Sequence, residues 1–151
     1  MTTDAPSGVV TFLFTDIEGS TRRWESDPES MLAALSDHDE VLRSAIETHG
    51  GFLFKHTGDG TCAAFASPKA AVDAAVDAQR ALELPVRMGI ATGEAEVRDG
   101  DYFGPVLNRV ARVMAAGHGG QVLLDGQTAG LLRGMELLDR GSRRLRDIAQ
   151  P

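Results

Sequence analysis

Residues 9–15, VVTFLFT, are β-branched, aromatic and almost wholly apolar, which predicts a strand running into the acid Asp16. After it the period changes. Met31, Leu32, Leu35, Val41, Leu42, Ala45 and Ile46 recur at three- and four-residue steps, so one face of a long helix extends to about residue 49. Gly19-Ser20-Thr21 offers a hydroxyl cap at the helix entry, Asp27-Pro28 interrupts the helix, and Gly50-Gly51 stops it. Residues 52–57 and 61–66 are short strands joined by GDG, a hairpin signal. Pro68 suits a first-turn position, and residues 69–83 are Ala-rich with helical period. Residues 86–97 read as a strand bent near Gly93, and RDGD at 98–101 as a turn. A helix over 105–116, a stop at 117–120, a strand over 121–125, a short helix over 127–133 and a hairpin over 135–148 complete the pattern.

This order predicts an α+β fold, a ferredoxin-like antiparallel sheet sandwich with a βαββαβ core plus extra strands and helices. The first strand is expected beside the hairpin, with helices on one face of the sheet. Residues 1–8 are expected to be a flexible tail and 9–151 a single domain.

Composition narrows the function. With 151 residues, 42% hydrophobic and 25% charged, the chain can bury a core as one domain. A net charge of -7 disfavours nucleic-acid binding. A small polyanion would need a metal or a local basic patch. The single cysteine, Cys62, excludes an internal disulfide and any Cys-based zinc site, and GTCAAF makes it a small core residue. No apolar stretch approaches the ~20 residues of a membrane span, and the N-terminus lacks a secretory pattern, so a cytoplasmic protein is expected.

Three constellations carry candidate chemistry. Asp16 closes the first strand, with Gly19, Ser20 and Thr21 behind it. Lys55 and Asp59 lie in KHTGDG. Asp101, Asn108 and Arg112 lie in DYFGPVLNRVAR. If the first strand neighbours the hairpin, Asp16 and Asp59 converge, and paired carboxylates invite a cation. Mg²⁺ takes carboxylate, phosphate and water oxygens. Amides at a helix start suit phosphate. On spacing alone, Asp16 as a helix cap and Asp59 as a turn residue remains an equal reading. Asn108 and Arg112 are four apart on one helix face, while Val106, Leu107, Val110 and Val113 supply its apolar contacts. They are either an exposed polar face or a ribose and phosphate pair.

FLFTDIEGST, KHTGDG and DGDYFGPVLNRVARV, in this order, resemble the catalytic domain of bacterial class III nucleotidyl cyclases, adenylyl type, over roughly residues 8–150. The resemblance implies two divalent ions, Mg or Mn, on Asp16, Asp59 and the Ile17 carbonyl. It implies adenine recognition by Lys55 and Asp101, ribose orientation by Asn108 and transition-state stabilisation by Arg112. Guanylyl members usually carry Glu and Cys-like residues at the Lys55 and Asp101 positions, so ATP is the implied substrate. It also implies a head-to-tail homodimer, with Asp16 and Asp59 from one chain meeting Lys55, Asp101, Asn108 and Arg112 of the other. Two departures stand out. The stretch from Gly93 to Asp101 is short, so the dimer is expected to be weak. The chain ends where relatives continue into a final strand, so a longer natural protein with regulatory domains is expected. Arg146 takes the place of the family's phosphate-binding Lys, ahead of Arg144.

Two alternatives compete. FLFTDIEGST approaches the first motif of haloacid-dehalogenase-like phosphohydrolases, with Asp16 as nucleophile and Glu18 as second acid, which requires a parallel sheet. A non-catalytic nucleotide-binding domain of cyclase ancestry usually lacks a metal Asp or the Arg, and both are here. Beside these, Glu18 reads as a helix-start acid or a neighbour of the metal ligands, Trp24 as packing, and His38, His49, His56 and His118 as surface or local hydrogen-bonding residues. Strand alternation turns His56 away from Lys55.

Overall fold

The first strand runs past Asp16: β1 spans Gly8–Ile17, two residues beyond the expected end. The computed structural model describes residues 5–132. The expected hairpin at 135–148, with Arg144 and Arg146, lies outside the described residues. After β1 come α1 (Ser20–Ser26), α2 (Pro28–Thr48), β2 (Phe52–Thr57), β3 (Gly60–Phe65), α3 (Pro68–Ala81), β4 (Val86–Arg98), β5 (Asp101–Phe103), α4 (Pro105–Ala115), β6 (Val122–Leu124) and α5 (Gly126–Leu131).

The strand order is β2-β3-β1-β4-β5, with β6 parallel to β4 and the other neighbours antiparallel. The first four strands and the helices between them form the βαββαβ core. This is not the parallel sheet that the phosphohydrolase reading requires. β4 pairs with β1 in unbroken register through Gly93.

Period two sorts the core. Leu13 and Ile17 join Val86, Met88 and Ile90 beneath α2 (Met31, Leu42, Ile46) and α3 (Ala71, Ala74, Ala75, Ala78). Val10, Phe12, Ala64 and Ala91 face the other way, onto Tyr102 and onto Val106 and Val110 of α4. Each fully buried large apolar side chain stabilises the fold by roughly 1.5–3 kcal/mol. Helices therefore lie on both faces, not one. The cause is the small residues on one side of β4. A Cβ on Gly89 would stand 2.4 Å from the Met114 backbone nitrogen, so only glycine lets α4 lie this close.

Two caps follow the expected chemistry. The Asp27 carboxylate accepts from the Ser30 amide at 3.1 Å and the Ser67 hydroxyl from the Ala70 amide at 3.2 Å. The hydroxyl cap expected at the first helix is absent. The N-cap of α1 is Gly19, at φ 70°, with no side-chain cap bond. The Glu18 amide still donates to the Pro85 carbonyl at 2.8 Å, so the chain must reverse within one residue. A left-handed glycine permits that.

Candidate active site

Asp16 and Arg87 are direct cross-strand partners on β1 and β4. The Arg87 guanidinium donates to both carboxylate oxygens, Nε to Oδ1 at 2.7 Å and Nη2 to Oδ2 at 2.5 Å. Both side chains are half-buried. The bond to Asp16 raises the Arg87 pKa further, and the charges of Glu18 and Asp59 act in the same direction. The charges of three acids thus act on one guanidinium at this end of the sheet. The sequence reading missed Arg87. Its signal was a lone charge inside an apolar strand run, VRMGIA.

Among the described residues no group of three or more His, Cys, Asp or Glu side chains could hold a metal ion. A divalent ion here would use Asp16, Asp59, a backbone carbonyl such as that of Ile17, and ligand oxygens. The residues fit such an ion. The donors are hard oxygens, and their negative charge already attracts a cationic side chain. Glu18 is committed elsewhere: its Oε1 accepts from the Gly119 amide at 3.2 Å, and Oε2 lies 3.7 Å from His118 Nδ1. It ties the end of β1 to the loop after α4 and caps no helix. Ser20 and Thr21 form the first turn of α1, half-buried and exposed respectively. A cleft of about 720 Å³ opens behind Gly19, between α1, the start of α2 and Pro85.

Lys55 Nζ lies 3.2 Å from Asp101 Oδ2. β2 and β5 stand at opposite ends of the strand order, so the far end of β4 must carry β5 across the face that α4 covers. Asp99 (φ 49°) and Gly100 (φ 75°) make the tight turn that returns β5 along β4. Tyr102 then packs on Phe12 and Phe54, with ring centroids 5.0 and 4.8 Å apart, and its hydroxyl donates to the Pro6 carbonyl at 2.6 Å. That bond ties down part of the expected flexible tail. On β2 the register shifts between Leu53 and Lys55, so Phe54 is an extra residue and Lys55 sits opposite Cys62. The bulge lets Phe54 join the aromatic cluster while Lys55 keeps that face.

The Asp101 carboxyl is held below its ordinary pKa first by the Tyr102 amide, at 2.7 Å from Oδ1, and then by Lys55. Burial pushes the neighbouring Cys62 thiol up to about 11.

On α4, Val106, Val110 and Val113 are buried, while Asn108 and Arg112 are exposed. Arg109, between them, turns inward. Its Nε donates to Asp125 at 2.9 Å and its Nη2 to the Thr92 carbonyl at 2.7 Å, which fixes α4 on β4. Asp125 is buried and also accepts from the Thr128 amide.

Trp24 packs against the core under α2 and α3. His56 faces away from Lys55 as expected, reaching Asp39 of α2 at 3.2 Å. His38 is not a surface residue. It is 2% exposed, with Nδ1 2.8 Å from Asp39, because it lies on the inner face of α2 beside Leu42.

The pattern described as the adenylate and guanylate cyclase catalytic domain matches residues 3–88. A protein of unassigned function from Mycobacterium tuberculosis is 39% identical over 97% of this chain and 54% of its own length. The chain thus spans about half of that relative. An adenylate cyclase of Podospora anserina is 32% identical over 78% of this chain and 7% of its own. Among solved structures, an adenylate cyclase of Trypanosoma brucei in its monomeric state superposes with a TM-score of 0.89 at 27% identity, over 97% of this chain and 88% of the other.

Proposed function

Because the chain belongs to the class III adenylate and guanylate cyclase catalytic domains, we propose that it converts ATP to 3′,5′-cyclic AMP and pyrophosphate. The observation that carries the choice of ATP is the Lys55–Asp101 pair at 3.2 Å. A cationic donor beside an ionised acceptor matches the N1 and 6-amino edge of adenine. Guanine presents the opposite polarity at both positions, which leaves polar groups mispaired.

The remaining residues take roles along the nucleotide. Asn108 orients the ribose so that its 3′-hydroxyl faces the α-phosphate. Arg112 meets the charge that develops on that phosphate as the new ester bond forms and pyrophosphate leaves. The amides at Gly19, Ser20 and Thr21 cradle phosphate oxygens, and Arg146 adds a positive charge from outside the described residues. Asp16, Asp59 and the Ile17 carbonyl would hold two divalent ions, Mg or Mn, which when bound would lower the hydroxyl pKa and neutralise the triphosphate. Asp16 and Asp59 of one chain face Lys55, Asp101, Asn108 and Arg112 of a second in a head-to-tail homodimer. The site is completed only there. Among the described residues no helix is long and apolar enough to cross a membrane, and supply of ATP assigns the reaction to the cytoplasm. Regulatory domains joined to this one in a longer natural protein would set its activity.

Incubation with Mn²⁺ and either ATP or GTP tests the reading. Cyclic AMP from ATP, with little cyclic GMP, is expected. Inorganic phosphate without cyclic product contradicts it in favour of a hydrolase, and nucleotide binding without turnover contradicts it in favour of a regulatory domain.

A further inference from the structure

β6 leaves β4 after Ile90, whose carbonyl accepts from the Asp125 amide at 3.0 Å, and β5 joins β4 only at Glu96. The Thr92 carbonyl lies in that gap, two residues along and on the same edge, because strand backbone groups repeat with period two. Arg109 of α4 fills the gap. Its Nη2 donates to that carbonyl at 2.7 Å, and its Nε donates to the buried Asp125 carboxylate at 2.9 Å. Glycine at 93 leaves room for the guanidinium, since a Cβ there would stand 2.9 Å from Nη2. Both acceptors are themselves fixed. The other oxygen of Asp125 accepts from the Thr128 amide at 2.9 Å, and the buried Thr92 hydroxyl meets those of Thr11 at 3.0 Å and Thr128 at 2.8 Å.

Val106, Val110 and Val113 set how deeply α4 sits, but apolar burial is non-directional. Gly104, the N-cap of α4, has no side chain to fix the first turn. The forked bonds of Arg109 are directional and reach two other segments, so they set the rotation of α4 about its axis. Asn108 is the preceding residue of that helix. Its side-chain tip stands about 5–6 Å from the axis, so about 10° of rotation moves it by about 1 Å. We propose that Arg109 is a positioning residue: through Asp125 and the Thr92 carbonyl it holds Asn108 at the angle that aligns the ribose. This rests on the cyclase reading and on the role of Asn108 within it. A misplacement of about 1 Å costs up to about a hundredfold in rate. A loss confined to the transition state lowers kcat and leaves KM in place.

The experiment measures kcat and KM for ATP with Mn²⁺, on the whole chain and below the onset of melting. Wild type, Arg109→Lys, Asn108→Ala and the double variant are compared. Lysine keeps a positive charge beside buried Asp125 but has no fork to reach both acceptors at once. Arg109→Lys is expected to lower kcat about tenfold, with KM within about twofold of wild type. In the Asn108→Ala background the same change is expected to lower kcat by no more than about twofold, because the group it positions is gone. A wild-type kcat in Arg109→Lys, whatever its melting temperature, overturns the proposal and leaves the arginine a purely structural tie. An equal loss in both backgrounds overturns it too, since Arg109 would then act by a route other than Asn108. An Asn108→Ala chain as active as wild type removes the role of Asn108 and the proposal with it. A wild-type chain that makes no cyclic AMP contradicts the cyclase reading, and the positioning role falls with that reading. Should Arg109→Lys fail to fold, Asp125→Asn takes its place. Its amide oxygen can still accept from Thr128 while its charge on Arg109 is lost, and the same pattern of losses is expected, with the same results overturning it.

Discussion

The Lys55 ammonium and the Asp101 carboxylate meet at 3.2 Å although their strands stand at opposite ends of the strand order. The bulge at Phe54, the turn at Asp99-Gly100 and the packing of Tyr102 on Phe54 make that meeting possible. The pair proposed to read the base is therefore placed by backbone geometry.

Exchanging Lys55→Glu together with Asp101→Cys should lower the ATP-to-GTP ratio of kcat/KM by tenfold or more. Each mispaired polar group costs about 1–3 kcal/mol. Paired kinetics on the two nucleotides check this, and a ratio that stays at the wild-type value would remove the pair from base recognition.

Asp59→Asn should abolish turnover and leave the fold intact. Asp59 is a half-buried turn residue at the tip of the β2–β3 hairpin. The far-UV circular dichroism should match wild type, with the melting temperature within a few degrees. Activity retained at the wild-type level would exclude Asp59 as a cation ligand.

Gly89→Ala should destabilise the domain by about 1–3 kcal/mol, as overpacking does. The added methyl meets the Met114 backbone at 2.4 Å, and a main-chain atom cannot step aside as a flexible side chain can. Urea unfolding measures the loss. A variant as stable as wild type would show that α4 is not held tightly on β4.

Burial that raises the Cys62 thiol from 9.0 to about 11 has a defined sign. The folded chain keeps that proton while the unfolded chain releases it. The contribution to stability is full below pH 9.0 and is lost as pH rises towards about 11. Iodoacetamide labelling of folded protein should be slow at neutral pH and accelerate only near that upper value. Labelling already complete at pH 9 contradicts it.

Mixing an Asp16→Ala chain with an Arg112→Ala chain should restore activity that neither has alone, because the proposed head-to-tail dimer, when mixed, would contain one complete site. Mixtures as inactive as their parents would show that the site is not shared between chains.

Much of this was legible along the chain. The β-branched and aromatic run VVTFLFT, the GDG hairpin, and the i, i+4 spacing of Asn108 and Arg112 are local signals, and the structure keeps each of them. Three features were not legible, for a common reason. Arg87 finds Asp16 across 71 positions, Asp101 finds Lys55 across 46, and α4 finds Gly89 on the second face. Each depends on strand register or on the path of β4, which local periodicity does not determine. The Gly19 cap was misread because Ser20 and Thr21 offered hydroxyls. Only the continued bonding of Glu18 to Pro85 shows that the turn must be made by backbone alone.

The most direct measurement is the product balance of one reaction: ATP with Mn²⁺, cyclic AMP and pyrophosphate quantified together at several protein concentrations. The account predicts the two products in equal amounts, with specific activity that rises with protein concentration as dimers form, and neither product from Asp16→Ala. Inorganic phosphate in place of cyclic AMP, or turnover undiminished in Asp16→Ala, would contradict it.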